Sequence, residues 1–169
     1  MLPPLPPTTR TVRIERAFEV PVALLYRAWT EPELLARWVW GPLGRDVRAE
    51  LELEVGGRYR AVTRAVQPPP DSPPPAEADT REECALHGEY LEIVPEQRLV
   101  FTLEWDAPMG YRPGEERVTV HFRQKRQGSG VEFVHEGIPD VGSAAREHER
   151  GWSACFDALA ELLASLSAA

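Results

Sequence analysis

The sequence predicts an α+β domain in which a curved antiparallel sheet of about six to seven strands packs against one long C-terminal helix. Apolar and polar residues alternate in several segments between residues 11 and 136, as in half-buried strands. Residues 143–166 instead carry apolar residues at helical spacing. Short connections between the later strand candidates favour antiparallel neighbours. A curved sheet must cover its apolar face, and the last helix is the element long enough to do so.

The first strand is predicted at residues 11–20, where alternation is clear. Pro21 favours the start of a helix, because its fixed φ suits the first turn. A second short helix is expected near Pro32, with Thr30 and Glu33 as a capping box. The apolar face of the first helix comprises Val22, Leu25, Tyr26 and Trp29.

The remaining strands are expected at about 45–55, 57–66, 83–94, 97–105, 116–126 and 130–136. The Gly56-Gly57 pair between the first two of these predicts a hairpin. Asp140 or Ser143 can cap the last helix. Its apolar stripe consists of Trp152, Cys155, Phe156, Leu159, Leu162, Leu163 and Leu166.

These elements make one domain over residues 11–166. Residues 1–10 are expected to form a flexible proline-rich tail, and residues 67–80 a proline-rich loop inserted into the sheet. The N-terminus lacks the pattern of a secretory signal, and the chain has no apolar run long enough to cross a membrane, so we expect a cytoplasmic protein.

The charge and motif content argues against several functions. The formal net charge of −8 disfavours binding to nucleic acid or to an anionic membrane. Cys84 and Cys155 lack metal or redox spacing, and the four histidines are not closely spaced, so no metal site is expected. The sequence has no phosphate-binding glycine loop and no nucleophile motif, so no cofactor is expected.

A group of aromatic and apolar residues on the inner faces of the helices and strands is the candidate ligand site. Such residues, with a few polar groups, are typical of small-molecule pockets. The same residues would also make an ordinary filled core, and the sequence leaves both arrangements open. The candidates are Trp29, Phe101, Leu103, Trp105, Val118, Val120, Phe122, Phe133, His135, Trp152 and Phe156.

Four short motifs occur along the chain in the same order as in a known protein family. They are Phe18, Pro21 and the run Leu25–Glu33 with Trp38; Gly56-Gly57-Arg58-Tyr59; Gly88–Pro95 followed by Arg98–Thr102; and Gly151-Trp152 with Leu159 and Leu162. Together they resemble the AHSA-type family of the START-like superfamily, named for homologues of the activator of the heat-shock-protein-90 ATPase. The resemblance covers about residues 11–166 and implies a helix-grip fold with a cavity between the sheet and the long helix. The insertion at 67–80 departs from the simplest family members.

Related START-like families bind lipids, sterols, polyketides and other apolar molecules, so the resemblance implies binding of a small hydrophobic or aromatic ligand. The first alternative is an enzyme similar to polyketide cyclases and aromatases, with His87, His135 or Tyr90 moving protons. The second is a co-chaperone or other protein-interaction module in the stress response. The sequence favours a binding protein over an enzyme, and a homodimer is compatible with it.

Overall fold

The computed structural model describes residues 8–64, 83–106 and 115–168. The predicted insertion at 67–80 and most of the predicted tail at 1–10 lie outside these residues. The elements are β1 (Thr9–Phe18), α1 (Val22–Thr30), α2 (Pro32–Leu35), a short 3-10 helix (Gly41–Leu43), β2 (Arg48–Leu51), β3 (Arg58–Arg64), β4 (Glu83–Val94), β5 (Arg98–Asp106), β6 (Glu116–Gln124), β7 (Ser129–Pro139) and α3 (Ala144–Ser167).

The seven strands form one antiparallel sheet in the order β1-β7-β6-β5-β4-β3-β2. Strands β2 to β7 follow one another as a meander, and β1 pairs with β7 at the far edge. The predicted fold class is therefore confirmed: a curved antiparallel sheet holds a long C-terminal helix. Within the described residues no helix has the length and apolarity needed to span a membrane.

The core lies between the inner face of the sheet and α3. Period-two alternation places Leu99 and Leu103 of β5 inside, together with Val118 and Val120 of β6. Leu159 and Leu163 of α3 face them and are equally buried. Each such side chain contributes about 1.5–3 kcal/mol to folding by leaving water, which is the main term holding the helix on the sheet.

The strand predicted at 45–55 is shorter than expected. Strand β2 covers only Arg48–Leu51, because Asp46 has a left-handed φ of 48° and the chain turns before Gly57. Gly56 has a φ of +86°, and a Cβ atom on Gly57 would lie 2.1 Å from the carbonyl oxygen of Glu52. The glycine pair thus makes the predicted hairpin, but the turn takes residues that alternation had assigned to strands.

The predicted capping box is wrong. The Thr30 hydroxyl donates to the Tyr26 carbonyl at 2.9 Å, so it does not cap the following helix. The N-terminus of α1 is instead capped from the sheet, where the Val22 amide donates to Oε1 of Gln124 at 2.9 Å. Ser143 does stand at the N-cap position of α3, yet its hydroxyl donates to Glu147 rather than capping the backbone.

Candidate functional site

Aromatic rings fill most of the space beneath α3. The Phe133 ring centroid lies 4.7 Å from that of Trp152 and 5.3 Å from that of Phe156, and both phenylalanines are fully buried. Trp29 of α1 packs edge-on against Trp38, with the centroids 4.7 Å apart. The rings pack against one another between the sheet and α3. They form a dense core where the sequence left open a ligand cavity.

A small gap remains within this core, and we call it the interior void. Its volume is about 30 Å³. A water molecule needs about 10–15 Å³ of such space, so the interior void is no larger than two or three waters and is too small for an organic ligand. Hydrophobic and aromatic side chains line it, including Trp29, Trp38, Tyr90, Phe101 and Trp152.

A second space, which we call the side pocket, lies against the first half of α3 and has a volume of about 210 Å³. Residues 39–43 and the end of β5 form its other walls. Leu43 is 54% exposed and Gly151 is also exposed, so solvent reaches the pocket at these residues. The lining consists of Val39, Trp40, Leu43, Trp105, Glu147, His148, Gly151, Trp152 and Cys155.

Contacts between distant parts of the chain build the side pocket. The Cys155 thiol donates to the carbonyl of Val39 at 3.1 Å, which fixes the segment after α2 against α3. Burial raises the pKa of this thiol to about 12, so it stays protonated and is a poor nucleophile. The Trp40 indole donates to the Ala61 carbonyl at 3.2 Å, and its ring lies 5.9 Å from that of Trp105. Two tryptophans thus stand side by side in one wall.

A buried polar chain borders the side pocket. The Trp152 indole donates to Nδ1 of His135 at 3.0 Å, and Nε2 of His135 lies 2.9 Å from Oε1 of Glu116. Because an indole N–H can only donate, Nδ1 of His135 carries no proton, and Nε2 must be the nitrogen that donates to Glu116. Burial lowers the pKa of His135, although the bond to Glu116 opposes this shift. His135 is therefore a neutral connector between helix and sheet.

His148 stands on the other side of the same carboxyl group. Its Nδ1 lies 2.7 Å from the Ala144 carbonyl and must donate to it, while its Nε2 lies 3.7 Å from Oε1 of Glu116. The Glu116 side chain is fully buried, and its Oε2 has no hydrogen-bond partner in the part of the chain described. Glu116 and the two histidines therefore form a buried polar cluster against one wall of the side pocket.

The structure distributes the predicted site residues between core and cavity. Trp29 and Phe101 line the interior void, Trp105 lines the side pocket, and Trp152 lines both. The others border neither space and pack as buried core: Leu103, Val118, Val120, Phe122, Phe133, His135 and Phe156.

The three side chains proposed to move protons are also separated. His87 lies on the outer face, where its Nδ1 is 3.5 Å from the exposed Glu104 carboxylate. His135 has a partner on each ring nitrogen. Tyr90 is buried, and burial raises its pKa, so its phenol is a proton donor and not a base near neutral pH.

Sequence reasoning missed Glu116, His148 and Gly151. A signal existed for the first two: Glu116 precedes Val118 by two residues and so shares its inner face, and His148 stands one turn before Trp152 on the buried stripe of α3. Within the described residues, no group of three or more His, Cys, Asp or Glu side chains is placed to hold a metal ion.

The chain belongs to the family described as Activator of Hsp90 ATPase homolog 1-like protein, whose model matches residues 19–164. The AHSA-type resemblance is therefore confirmed. No curated protein matches the chain.

Solved structures share the fold. Protein CV1439 of Chromobacterium violaceum is 27% identical with a TM-score of 0.69, over 90% of this chain and 96% of that one. An uncharacterised protein of Rhizobium leguminosarum is 22% identical with a TM-score of 0.72, over 94% and 96%. CalU16 of Micromonospora echinospora is 18% identical with a TM-score of 0.62, over 92% and 76%. The likenesses below 25% identity show the helix-grip fold alone.

Proposed function

We propose that this protein binds a small apolar or aromatic molecule in the side pocket. The observation that supports this most directly is a space of about 210 Å³ whose wall includes the rings of Trp40, Trp105 and Trp152. Stacking on such rings favours a flat aromatic ligand. The resemblance implied a cavity between the sheet and the long helix, but aromatic side chains fill most of that region. The side pocket is therefore the site that we propose.

The size of the side pocket sets the class of ligand. A dry cavity of about 150 Å³ holds benzene, and drug-sized ligands occupy about 300–1,000 Å³. The side pocket, at about 210 Å³, lies between these and suits one substituted ring. Small ligands of this kind bind with about 4–8 kcal/mol, which corresponds to dissociation constants from millimolar to micromolar.

Isothermal titration calorimetry with p-cresol tests the proposal. The wild-type protein should bind p-cresol, and Gly151→Leu should abolish binding, because Gly151 borders the pocket and a Cβ there meets no atom within 4 Å. The control is Glu149→Leu, which adds the same side chain at an exposed helical position outside the pocket. Equal binding by wild type and Gly151→Leu, or none by the wild type, contradicts the proposal.

A second candidate function is proton transfer on the bound ligand, and the Glu116–His148 pair favours it. His148 lines the side pocket, and its Nε2 lies 3.7 Å from the buried Glu116 carboxyl group. Such a pair can remove a proton from a carbon next to a carbonyl group and return one from solvent, which accelerates exchange by about 10²–10⁴-fold. Deuterium exchange at the methyl group of acetophenone, followed by NMR, tests this: exchange should be catalysed by wild type and lost in His148→Gln. Equal rates in both proteins would exclude it.

The co-chaperone alternative rests on the family's name, and no contact in the described residues adds to it, so we do not propose it. We do propose a cytoplasmic location, which the state of Cys84 and Cys155 supports because both are thiols and not a disulfide. Fractionation of the producing cells checks this, and recovery of the protein outside the cytoplasm would exclude it.

A further inference from the structure

Among the residues that the structure describes, Val39 and Trp152 line both the interior void and the side pocket, and Trp152 is the aromatic one of the two. Trp38, Tyr90 and Phe101 line the void with it, and Trp105 lines the pocket with it, the Trp105 ring centroid lying 6.5 Å from that of Trp152. The indole therefore forms part of the partition between two apolar spaces. Without it, the two would join into one longer space enlarged by the volume of the ring.

A buried hydrogen bond fixes the orientation of the Trp152 ring. The indole N–H donates to Nδ1 of His135 at 3.0 Å, and the ring packs on Phe133 with centroids 4.7 Å apart. His135 is itself held by Glu116 at 2.9 Å and is fully buried. Rotating the indole would leave a buried N–H and a buried imidazole nitrogen without partners, each of which opposes the movement. The ring thus behaves as a fixed wall.

We propose that Trp152 determines the length of the ligand, restricting the side pocket to single-ring molecules and excluding linear two-ring molecules, with His135 as the residue that positions it. The inference rests on the proposed function, because it concerns the same pocket. Apart from Glu147 and His148, the side chains around the two spaces are apolar or aromatic, so the ligand class admitted without the wall is an elongated aromatic molecule.

A pair of probes that differ only in length tests this inference: p-cresol has one ring, and 4-phenylphenol has a second ring in line. The wild type should bind p-cresol more tightly by about tenfold, because Trp152 blocks the second ring of 4-phenylphenol on the inner side of the pocket and a misfit of that size changes affinity to about this extent. In Trp152→Leu the preference should reverse, with 4-phenylphenol gaining about tenfold. Calorimetry measures both dissociation constants.

The matched control is Phe133→Leu. Phe133 is buried and contacts Trp152 but lines neither space, and its truncation leaves the hydrogen bond between Trp152 and His135 in place, so it should destabilise the core without admitting 4-phenylphenol. Trp152→Met has a side chain of similar volume to leucine that is longer and more flexible, and it replaces the leucine variant if that does not fold. If neither variant folds, the wild-type ratio alone decides: a preference for p-cresol supports the partition, and equal affinity overturns it.

Failure of the inference differs from failure of the proposed function. If wild type binds p-cresol but the Trp152 variants show an unchanged ratio, the pocket is real and the partition is wrong. A gain of 4-phenylphenol in Phe133→Leu equal to that in Trp152→Leu also overturns the partition. If wild type binds neither probe, the proposed function is wrong. The inference that Trp152 separates the two spaces would then be supported only if a Trp152 variant binds 4-phenylphenol and Phe133→Leu does not.

Discussion

The protonation of His135 should control part of the stability of the fold. The ring is fully buried, its Nδ1 accepts the Trp152 indole N–H, and its Nε2 donates to Glu116. Adding a proton to Nδ1 would place two donors against each other and break the link to α3. This geometry and burial both act in the direction of the lowered pKa of His135.

The magnitude follows from the linkage between protonation and folding. In the unfolded chain His135 takes up a proton below its ordinary pKa of 6.5, whereas the folded protein holds it neutral to lower pH. The stabilisation is therefore complete above pH 6.5 and is lost as the pH falls from there through the lowered pKa. Within that window one histidine changes the free energy of unfolding by up to about 1.4 kcal/mol per pH unit.

Urea denaturation between about pH 7.5 and pH 5 measures this effect when wild type is compared with His135→Gln. Glutamine can accept from Trp152 and donate to Glu116 but does not titrate. Glu116 and His148 face the same ring and remain in both proteins, so the difference in slope isolates His135. Wild type should lose stability more steeply below pH 6.5. Parallel slopes would show that His135 titrates alike in folded and unfolded chains, which refutes the reasoning.

Three further results are expected. Gly151→Ala should raise the free energy of unfolding by about 0.5–1 kcal/mol, because alanine is the better helix former, and should weaken p-cresol binding; a loss of stability in urea would contradict this. Phe133→Ala should cost about 3–5 kcal/mol in urea denaturation, and a loss below about 1 kcal/mol would mean that its surroundings are not packed as described. Iodoacetamide at pH 8 should alkylate Cys84 before Cys155 by mass spectrometry, because Cys155 is buried with its pKa raised to about 12; faster reaction at Cys155 would contradict its placement.

Local patterning accounts for much of the fold. The alternation of apolar and polar residues around Val118 and Phe133 indicates strands from the local sequence alone. The apolar stripe that contains Trp152 and Phe156 indicates a long helix in the same way. The same patterning fails where a distant residue decides the local structure. The cap of α1 comes from Gln124, which lies 102 positions after Val22, and no local motif marks that bond.

The candidate site was harder to predict for the same reason. Alternation selects the inner face, but it does not show whether large residues line a space or occupy it, and Phe133 and Phe156 occupy it. The side pocket depends on the contact between Cys155 and Val39, which are separated by 116 positions. Alternation places Glu116 on the same inner face as Val118, but a carboxylate in a strand is ordinarily expected to face solvent. Its burial was recognised only from the structure, where it lies beside His135 and His148.

The binding site can be tested most directly through the indole N–H signals of the five tryptophans. Trp40, Trp105 and Trp152 line the side pocket, whereas Trp29 and Trp38 line only the interior void. In a two-dimensional ¹H–¹⁵N NMR titration with p-cresol, the first three signals should shift together in a saturable manner while the other two stay in place. Shifts at Trp29 and Trp38 alone, or at none of the five, would contradict a ligand site beside α3.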